Sequence, residues 1–309
     1  MAWKLRYNIL LVWTIVLLLF FSLLFINVIN LPNSTDNCKC PAVISSKSRQ
    51  DNSNRNNETS HEHKLALIIP YRERFEELQE FLPHMRTFLD KQDISHDIFI
   101  INQVDNYRFN RAALINVGFH FIRNLTYDYI AMHDVDLLPA NPELRYDFPG
   151  QGKALHLASP KFHPRYNYTT FVGGILLLTK EDFAKLNGMS NRYWGWGLED
   201  DEFYVRMKEG GIVVTRPDHI TTGRHDTFRH IHNAKKRVRD RERCFNQREV
   251  SRIRDRVTGL DNVAYKISSV VNVSVESATA TILNVELECD KNSTPWCSCS
   301  EKHKRKSRA

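Results

Sequence analysis

The sequence predicts an α/β domain built on a Rossmann-like sheet and held behind an N-terminal membrane-spanning helix. Two patterns lead there. Residues Ile9 to Ile29 form one apolar run whose polar interruptions are Thr14, Ser22 and Asn27, and about 20 apolar residues suffice to cross a bilayer core as one helix. From Lys64 onward, short runs of branched apolar residues alternate with segments of helical spacing, the alternation that builds parallel sheets.

In chain order, residues 1–8 carry Lys4 and Arg6, and the first charge beyond the apolar run is Asp36. The positive-inside rule then keeps 1–8 in the cytosol and sends everything after the span to the lumen or exterior. A cleaved signal peptide would have a shorter apolar region and a small-residue cleavage site, so 9–29 reads as an uncleaved signal anchor of a type II membrane protein. Residues 30–63 are rich in Asn, Ser, Thr and Arg and nearly free of aromatics. Such a segment cannot bury enough apolar surface to offset its ordering entropy, and it reads as a flexible stem. Residues 64–309 are enough for one large domain with its own core.

Within that domain LALIIP (Leu65 to Pro70) has the look of a buried parallel strand ending in a polar turn, YRER. FEELQEFLPHMRTFL follows, with Phe75, Leu78, Leu82, Met85 and Leu89 at helical spacing; Pro83 is expected to bend or divide that helix. HDIFIINQ is the second strand, RFNRAALINVGFHFIRN the second helix, and YDYIAM (Tyr127 to Met132) the third strand. Strand, helix, strand implies right-handed crossovers and a parallel sheet. Ligands of open α/β sheets bind beyond the strand C-termini, which is where the third strand delivers HDVDLLP, from His133 to Pro139.

Six cysteines form two groups, Cys38 and Cys40 near the span, and Cys244, Cys289, Cys297 and Cys299 toward the C-terminus. In an oxidising lumen the second group makes two disulfides, for which three connectivities are possible. A zinc cage is disfavoured because Cys297-x-Cys299 lacks the usual pair spacing. Sequons at Asn33, Asn57, Asn124, Asn167, Asn272 and Asn292 agree with the same compartment. The net charge of +7 is concentrated between Lys235 and Arg256, with ten Lys or Arg against four acids. That stretch is either an electrostatic landing site for an anionic partner or, as charge runs usually are, a solvated helix. Nucleic acid is not an expected partner of a lumenal domain.

Three motifs carry chemistry. In a turn after a strand, Asp134 and Asp136 can converge on one ligand, and a hard cation takes carboxylate oxygens together with those of a diphosphate. His230 and His232 flank Ile231, so an extended backbone puts both imidazoles on one face. Two nitrogens with a carboxylate and phosphate oxygens suit manganese, although zinc is also compatible. WGWGLEDDE, from Trp194 to Glu202, joins indoles and glycines to four acids. The acids favour the first turn of a helix, while the Gly-flanked indoles suit a sugar and place a carboxylate where it can deprotonate a hydroxyl.

FNRAALINVGF, HDVDLLP, FVGG, WGWGLEDDEF and HIH, in this order, resemble the β-1,4-galactosyltransferases over Leu65 to about Cys299. The HIH pair, LEDDE and LECDKNSTPWC are most similar to the members that act on xylosylated protein, and Leu198 stands where other members typically carry Gly. The resemblance implies a mixed sheet of GT-A type and an inverting, Mn2+-dependent transferase in the Golgi membrane. It implies transfer of galactose from UDP-galactose to O4 of xylose on a xylosylated proteoglycan core protein. The alternative is a galactosyl- or N-acetylgalactosaminyltransferase acting on N-acetylglucosamine, and an N-acetylated donor is expected to need a small residue in place of Phe171.

Carried over residue by residue, the resemblance implies that Asp136, His230 and His232 bind the metal and that Asp134 and Val135 contact the donor. Pro70, Arg72, Arg74, Phe109 and Arg111 would line the uridine and phosphate pocket. Tyr166, Tyr168, Trp196 and Leu198 would shape the xylose pocket, Trp196 also closing over the donor. Asp200 would be the catalytic base, with Glu199 and Asp201 holding sugar. The implied disulfides are Cys244 with Cys299 and Cys289 with Cys297.

Overall fold

The computed structural model describes residues 63–299. The expected cytosolic tail, the signal anchor, the stem up to residue 62, Cys38 and Cys40, and the residues after Cys299 lie outside the described residues. Eight strands form one mixed sheet in the order β7-β5-β6-β3-β1-β2-β10-β9. At its centre β1 (Lys64–Tyr71) runs parallel to β2 (Ser95–Gln103) and to β3 (Tyr129–His133). β10 (Ala278–Leu287) continues parallel to β2, and β9 (Tyr265–Val275) pairs antiparallel with β10. On the other side β6 (Ile175–Thr179) is antiparallel to β3 and leads to β5 (Lys153–His156) and β7 (Val213–Thr215).

The two faces of β1 explain its unbroken apolar run. Leu65, Leu67 and Ile69 pack with α1 (Phe75–Asp90), while Ala66 and Ile68 pack with α2 (Arg111–Ile122). Pro83 neither divides nor ends α1. Leu78, Phe81, Leu82, Met85 and Leu89 bury both halves against the sheet, and that packing outweighs the one ladder bond the ring removes. Phe75, expected on the buried stripe, is 64% exposed, and Phe81 takes its place in the core. In α2 the Asn110 side chain accepts from the Ala113 N–H and sets the helix start. Gly118 lets this helix lie close to the sheet, since a Cβ there would stand 2.6 Å from Ile68 Cγ2.

A second, two-stranded sheet pairs β4 (Leu137–Pro139) with β8 (Phe228–His230), matching Leu137 to His230. After a short α3 (Lys180–Lys185), α4 (Glu199–Glu209) carries the acidic motif. The basic stretch is not a solvated helix: within it only α5 (Gln247–Val250) is helical. Distant acids hold it in place through its turns, with Lys236 on Glu76, Arg237 on Glu77, Arg254 on Glu202 and Glu209, and Arg256 on Glu209. Disulfides join Cys244 to Cys299 and Cys289 to Cys297, tying this segment to the C-terminal end.

Candidate active site

Beyond the C-terminal end of β3 the chain turns through Asp134 to Asp136 and enters β4. His133 anchors the turn from behind: it is fully buried, its Nε2 pairs with the Tyr146 hydroxyl at 2.9 Å, and burial pushes its pKa down to about 3. Asp134 and Asp136 then diverge to different partners. Asp134 Oδ1 accepts from Arg111 Nε at 2.8 Å and Nη2 at 2.7 Å. Asp136 faces the histidines, because the pairing of β4 with β8 and the Ile231 N–H bond to the Asp136 carbonyl bring HIH alongside it.

His232 Nδ1 stands 3.1 Å from Asp136 Oδ2, and His230 Nε2 is 4.0 Å from Oδ1. The two rings lie 5.5 Å apart and nearly parallel. His230 ends β8 and His232 lies just past it, yet both address one carboxylate. Among the described residues no trio of His, Cys, Asp or Glu is spaced as a finished metal cage; His232 and Asp136 stand at hydrogen-bond distance. The donor set itself, two imidazoles and a carboxylate at a cleft edge, fits an intermediate divalent cation that draws further oxygens from a ligand. Burial pushes the Asp136 carboxyl up, but the His232 hydrogen bond and the neighbouring imidazoles outweigh it and hold it below the usual carboxylate range.

The expected donor residues surround this cluster with differing freedom. Arg111, at the start of α2, sits between acids, feeling Asp134, Glu199 and Asp200 together. Arg74 Nη1 lies 3.4 Å from His232 Nδ1 and 3.4 Å from Glu77. Arg72 is fully engaged with the loop after β2, donating to the carbonyls of Gln103, Asp105 and Tyr107, and it lies 6.0 Å from the Phe109 ring. Pro70 is buried in β1 and Val135 is in the core.

The opposite wall is made of aromatics and α4. Tyr166 stacks obliquely on Phe171 at 5.0 Å and approaches Trp196 at 6.4 Å; Tyr168 meets Phe171 at 5.5 Å and hydrogen-bonds Asp201. His163 joins the two walls, contacting His230, Tyr166 and Phe171, while its Nδ1 accepts the Arg165 and Tyr166 N–H groups. Leu198 precedes α4 with φ of 77°, a left-handed conformation costing about 1–2 kcal/mol for a residue with a Cβ. That conformation swings the acids of the first turn toward the cleft. Glu202 turns away into a buried pair with Arg206.

Asp200 lies against the backbone of the FVGG segment. A Cβ at Gly173 would stand 2.6 Å from Asp200 Oδ2 and 2.7 Å from the Phe171 ring, so only glycine leaves room for the carboxylate. Burial, then the charges of Glu199 and Asp201, push the Asp200 pKa up to about 8. Burial likewise raises Glu199, whose Oε2 is buried with no hydrogen-bond partner among the described residues. A carboxylate poised near neutral pH beside an unsatisfied acceptor atom is suited to take a proton from a hydroxylated ligand.

Comparisons with known proteins bear on this geometry. Residues 33–148 match the model described as the N-terminal region of glycosyl transferase group 7, and residues 153–231 match that described as the N-terminal domain of galactosyltransferase. The chain is 59% identical to β-1,4-galactosyltransferase 7 of Drosophila melanogaster, over 77% of this chain and 74% of that protein. The chain belongs to the β-1,4-galactosyltransferase family. It is also 54% identical to the xylosylprotein 4-beta-galactosyltransferase of Caenorhabditis elegans, over 76% of this chain and 82% of that one. The crystal structure of the Drosophila catalytic domain with xylobiose superposes with a TM-score of 0.76 at 59% identity, covering 77% of this chain and all of that one. An aspartate-to-asparagine variant of the same Drosophila enzyme, in complex with manganese, UDP-Gal and xylobiose, gives the same TM-score at 58% identity over the same coverage. The sheet described above is thus a GT-A-like glycosyltransferase fold.

Sequence reasoning assigned no role to four contributors to this site. Arg108 is a half-buried hub, holding Asp240 through two nitrogens at 2.6 and 2.9 Å and donating to Gln247 and to the Glu242 and Trp296 carbonyls. Gly195, at φ of 85°, packs on that guanidinium with no space for a side chain. His163 and Gly173 complete the list. Gly173 and Gly195 left a signal, as parts of FVGG and WGWG.

Proposed function

We propose that this chain transfers galactose from UDP-galactose to O4 of a xylose on a proteoglycan core protein, forming a β-1,4 linkage with inversion. The observation that carries the reading is Asp200, a carboxylate with a pKa of about 8, facing the Tyr166, Tyr168 and Trp196 wall across from the Asp136 and histidine cluster. The relatives named xylosylprotein galactosyltransferase and the neighbour holding manganese, UDP-Gal and xylobiose support it. Asp136, His230 and His232 would hold Mn2+, which when bound supplies positive charge to the diphosphate as it departs.

In the step itself, Asp200 accepts the proton of the acceptor O4 hydroxyl while that oxygen attacks C1 of galactose from the face opposite the diphosphate. The C1–O bond to UDP breaks with its electron pair, so one displacement inverts the centre without a covalent enzyme intermediate. Arg111 pairs with Asp134 and orients it at the donor, Glu199 Oε2 accepts a sugar hydroxyl, and Tyr168 orients Asp201 on the acceptor. Leu198 and the aromatic wall favour a sugar lacking the C6 hydroxymethyl group. The anchor 9–29 would hold the domain at the lumenal face of the Golgi membrane, a placement supported by the charge bias around the span.

The test is to incubate the lumenal domain with UDP-galactose, Mn2+ and a panel of β-xylosides and N-acetylglucosaminides. Galactosylation of xylosides is expected to be faster by about tenfold to a hundredfold, since each buried polar atom left unpaired costs roughly 1–3 kcal/mol. Equal rates on both acceptor classes would assign this site to N-acetylglucosamine instead.

A further inference from the structure

The eight-stranded sheet has two edges, and they are protected unequally. One edge, β7, is three residues long, and an edge that short offers little backbone to another chain. The other, β9, is 11 residues long and among the described residues pairs only with β10. Its start is guarded, because Lys266 is exposed and the register shift opposite Asn284 and Val285 leaves Ser268 as a bulge; charges and bulges are common means of blunting an edge. The rest of the strand has neither. Residues 268–275, SSVVNVSV, hold four valines, no charge and no proline, and Val270 and Val271 are 49% and 46% exposed. An uncharged, valine-rich run on an open edge has the composition that pairs with other chains.

Within that run Asn272 opens the sequon Asn272-Val273-Ser274, and Asn272 and Ser274 are both exposed. Side chains alternate along a strand, so Asn272 shares a face with Val270 and Ser274. On the other face Val273 and Val275 pack against the same core cluster as α1. The Asn272 amide is held by its carbonyl half, which accepts from Thr281 Oγ1 on β10 at 3.0 Å. That leaves Nδ2, the atom through which a sugar is linked, at the middle of the open edge. Three strands, β1, β2 and β10, separate β9 from β3 and the Asp136 turn.

We propose that Asn272 carries an N-linked oligosaccharide that covers the open β9 edge and keeps it from pairing with a second copy of this chain. The inference rests on the lumenal placement proposed above. Nδ2 attacks C1 of an oligosaccharide carried on a lipid diphosphate: the N–C1 bond forms, one amide proton is released, and the diphosphate departs with the electron pair of the broken C1–O bond. A bulky, hydrated substituent then does for this edge what charge or proline does for others.

The experiment expresses the full chain in a eukaryotic secretory pathway, releases its glycans with peptide N-glycosidase in heavy-oxygen water, and maps the labelled aspartates by mass spectrometry. The peptide holding residue 272 is expected to be labelled in most molecules. This mapping reads the unaltered chain, so it stands even if a variant misfolds. Asn272→Gln and Ser274→Ala should each abolish that glycan, leave turnover on β-xylosides unchanged, and lower by about tenfold the concentration at which light scattering detects dimers or larger species. Ser274→Ala keeps the Asn272 bond to Thr281, so agreement of the two variants assigns the effect to the glycan. Adding Val270→Lys, a charge on the same face, should reverse the association. An unmodified Asn272 beside another labelled sequon would overturn the proposal, as would glycan-free variants that associate no more readily than wild type. Labelling at none of the sequons would instead overturn the lumenal placement, and this inference with it.

Discussion

Asp136 and Asp200 face one cleft and are governed by opposite environments. Asp136 leaves a turn at the sheet edge, and the imidazoles beside it hold its carboxyl down despite burial. Asp200 starts a helix among like charges, and burial with Glu199 and Asp201 drives its pKa up to about 8. The first is built to stay ionised and bind; the second is built to exchange a proton near neutral pH. The scaffolds differ in the same sense. The Asp136 side rests on paired strands, whereas the Asp200 side hangs on loops, glycines and a left-handed Leu198.

The largest break in that contrast comes from removing the proposed proton acceptor. Asp200→Asn is nearly isosteric but cannot take the O4 proton, and kcat should fall about 10² to 10⁴-fold, while UDP affinity measured by titration stays within about twofold of wild type. In the wild type kcat/KM should climb with pH toward about 8, as Asp200 ionises. Retained turnover in the variant would move the base to Asp201. On the other side of the cleft, His232→Ala should weaken Mn2+ binding by roughly 10 to 100-fold. Activity at limiting metal should drop accordingly and recover in part with excess Mn2+. An unchanged metal dependence there and in His230→Ala would detach the pair from the metal site.

The same contrast sorts what could be read from the sequence. β1, β2, β3, α1 and α2 were legible because periodicity is local, and HDVDLLP was placed at the sheet edge by strand order alone. The convergence of Asp136 on His230 depends on β4 pairing with β8 across more than ninety residues, so only the resemblance to a family could suggest it. Pro83 does not divide the helix because its cost is local while the burial that overrides it is tertiary. The conformation of 235–256 was illegible for a related reason: Glu76, Glu77, Glu202 and Arg108, which shape it, lie far off in sequence. The left-handed backbone at Leu198 is the reverse of what side-chain preference predicts, as strained residues at functional sites often are.

Leu198 gives the next, smaller effect. Leu198→Gly relieves about 1 kcal/mol of backbone strain and removes the side chain proposed to shape the acceptor pocket. Selectivity for β-xylosides over N-acetylglucosaminides should narrow by about tenfold, chiefly through a lower KM for the larger acceptor, and turnover on xylose should decline. If the ratio of the two kcat/KM values is unmoved, acceptor size is read elsewhere on the aromatic wall.

The smallest effect is on stability, and its sign separates the two aspartates most cleanly. A carboxyl raised in the folded state from an unfolded value near 3.8 to about 8 contributes stability that is fully present below pH 3.8 and is lost as pH rises through 8. At neutral pH unfolding is therefore favoured because it lets this carboxyl ionise, and an Asn that never ionises gains nothing by it. Solvent in the open cleft screens much of this, leaving about 1–2 kcal/mol, or roughly 2–6 °C in Tm for a domain of this size. Asp200→Asn should therefore melt higher than wild type at pH 8, by a margin that shrinks toward zero near pH 4. Asp136→Asn should do the opposite, because a depressed carboxyl stabilises the fold above its unfolded pKa and the variant forfeits that at neutral pH. Melting curves of both variants across pH 4 to 8 check the pair; parallel shifts of the same sign would mean that the two environments do not differ as their charges indicate.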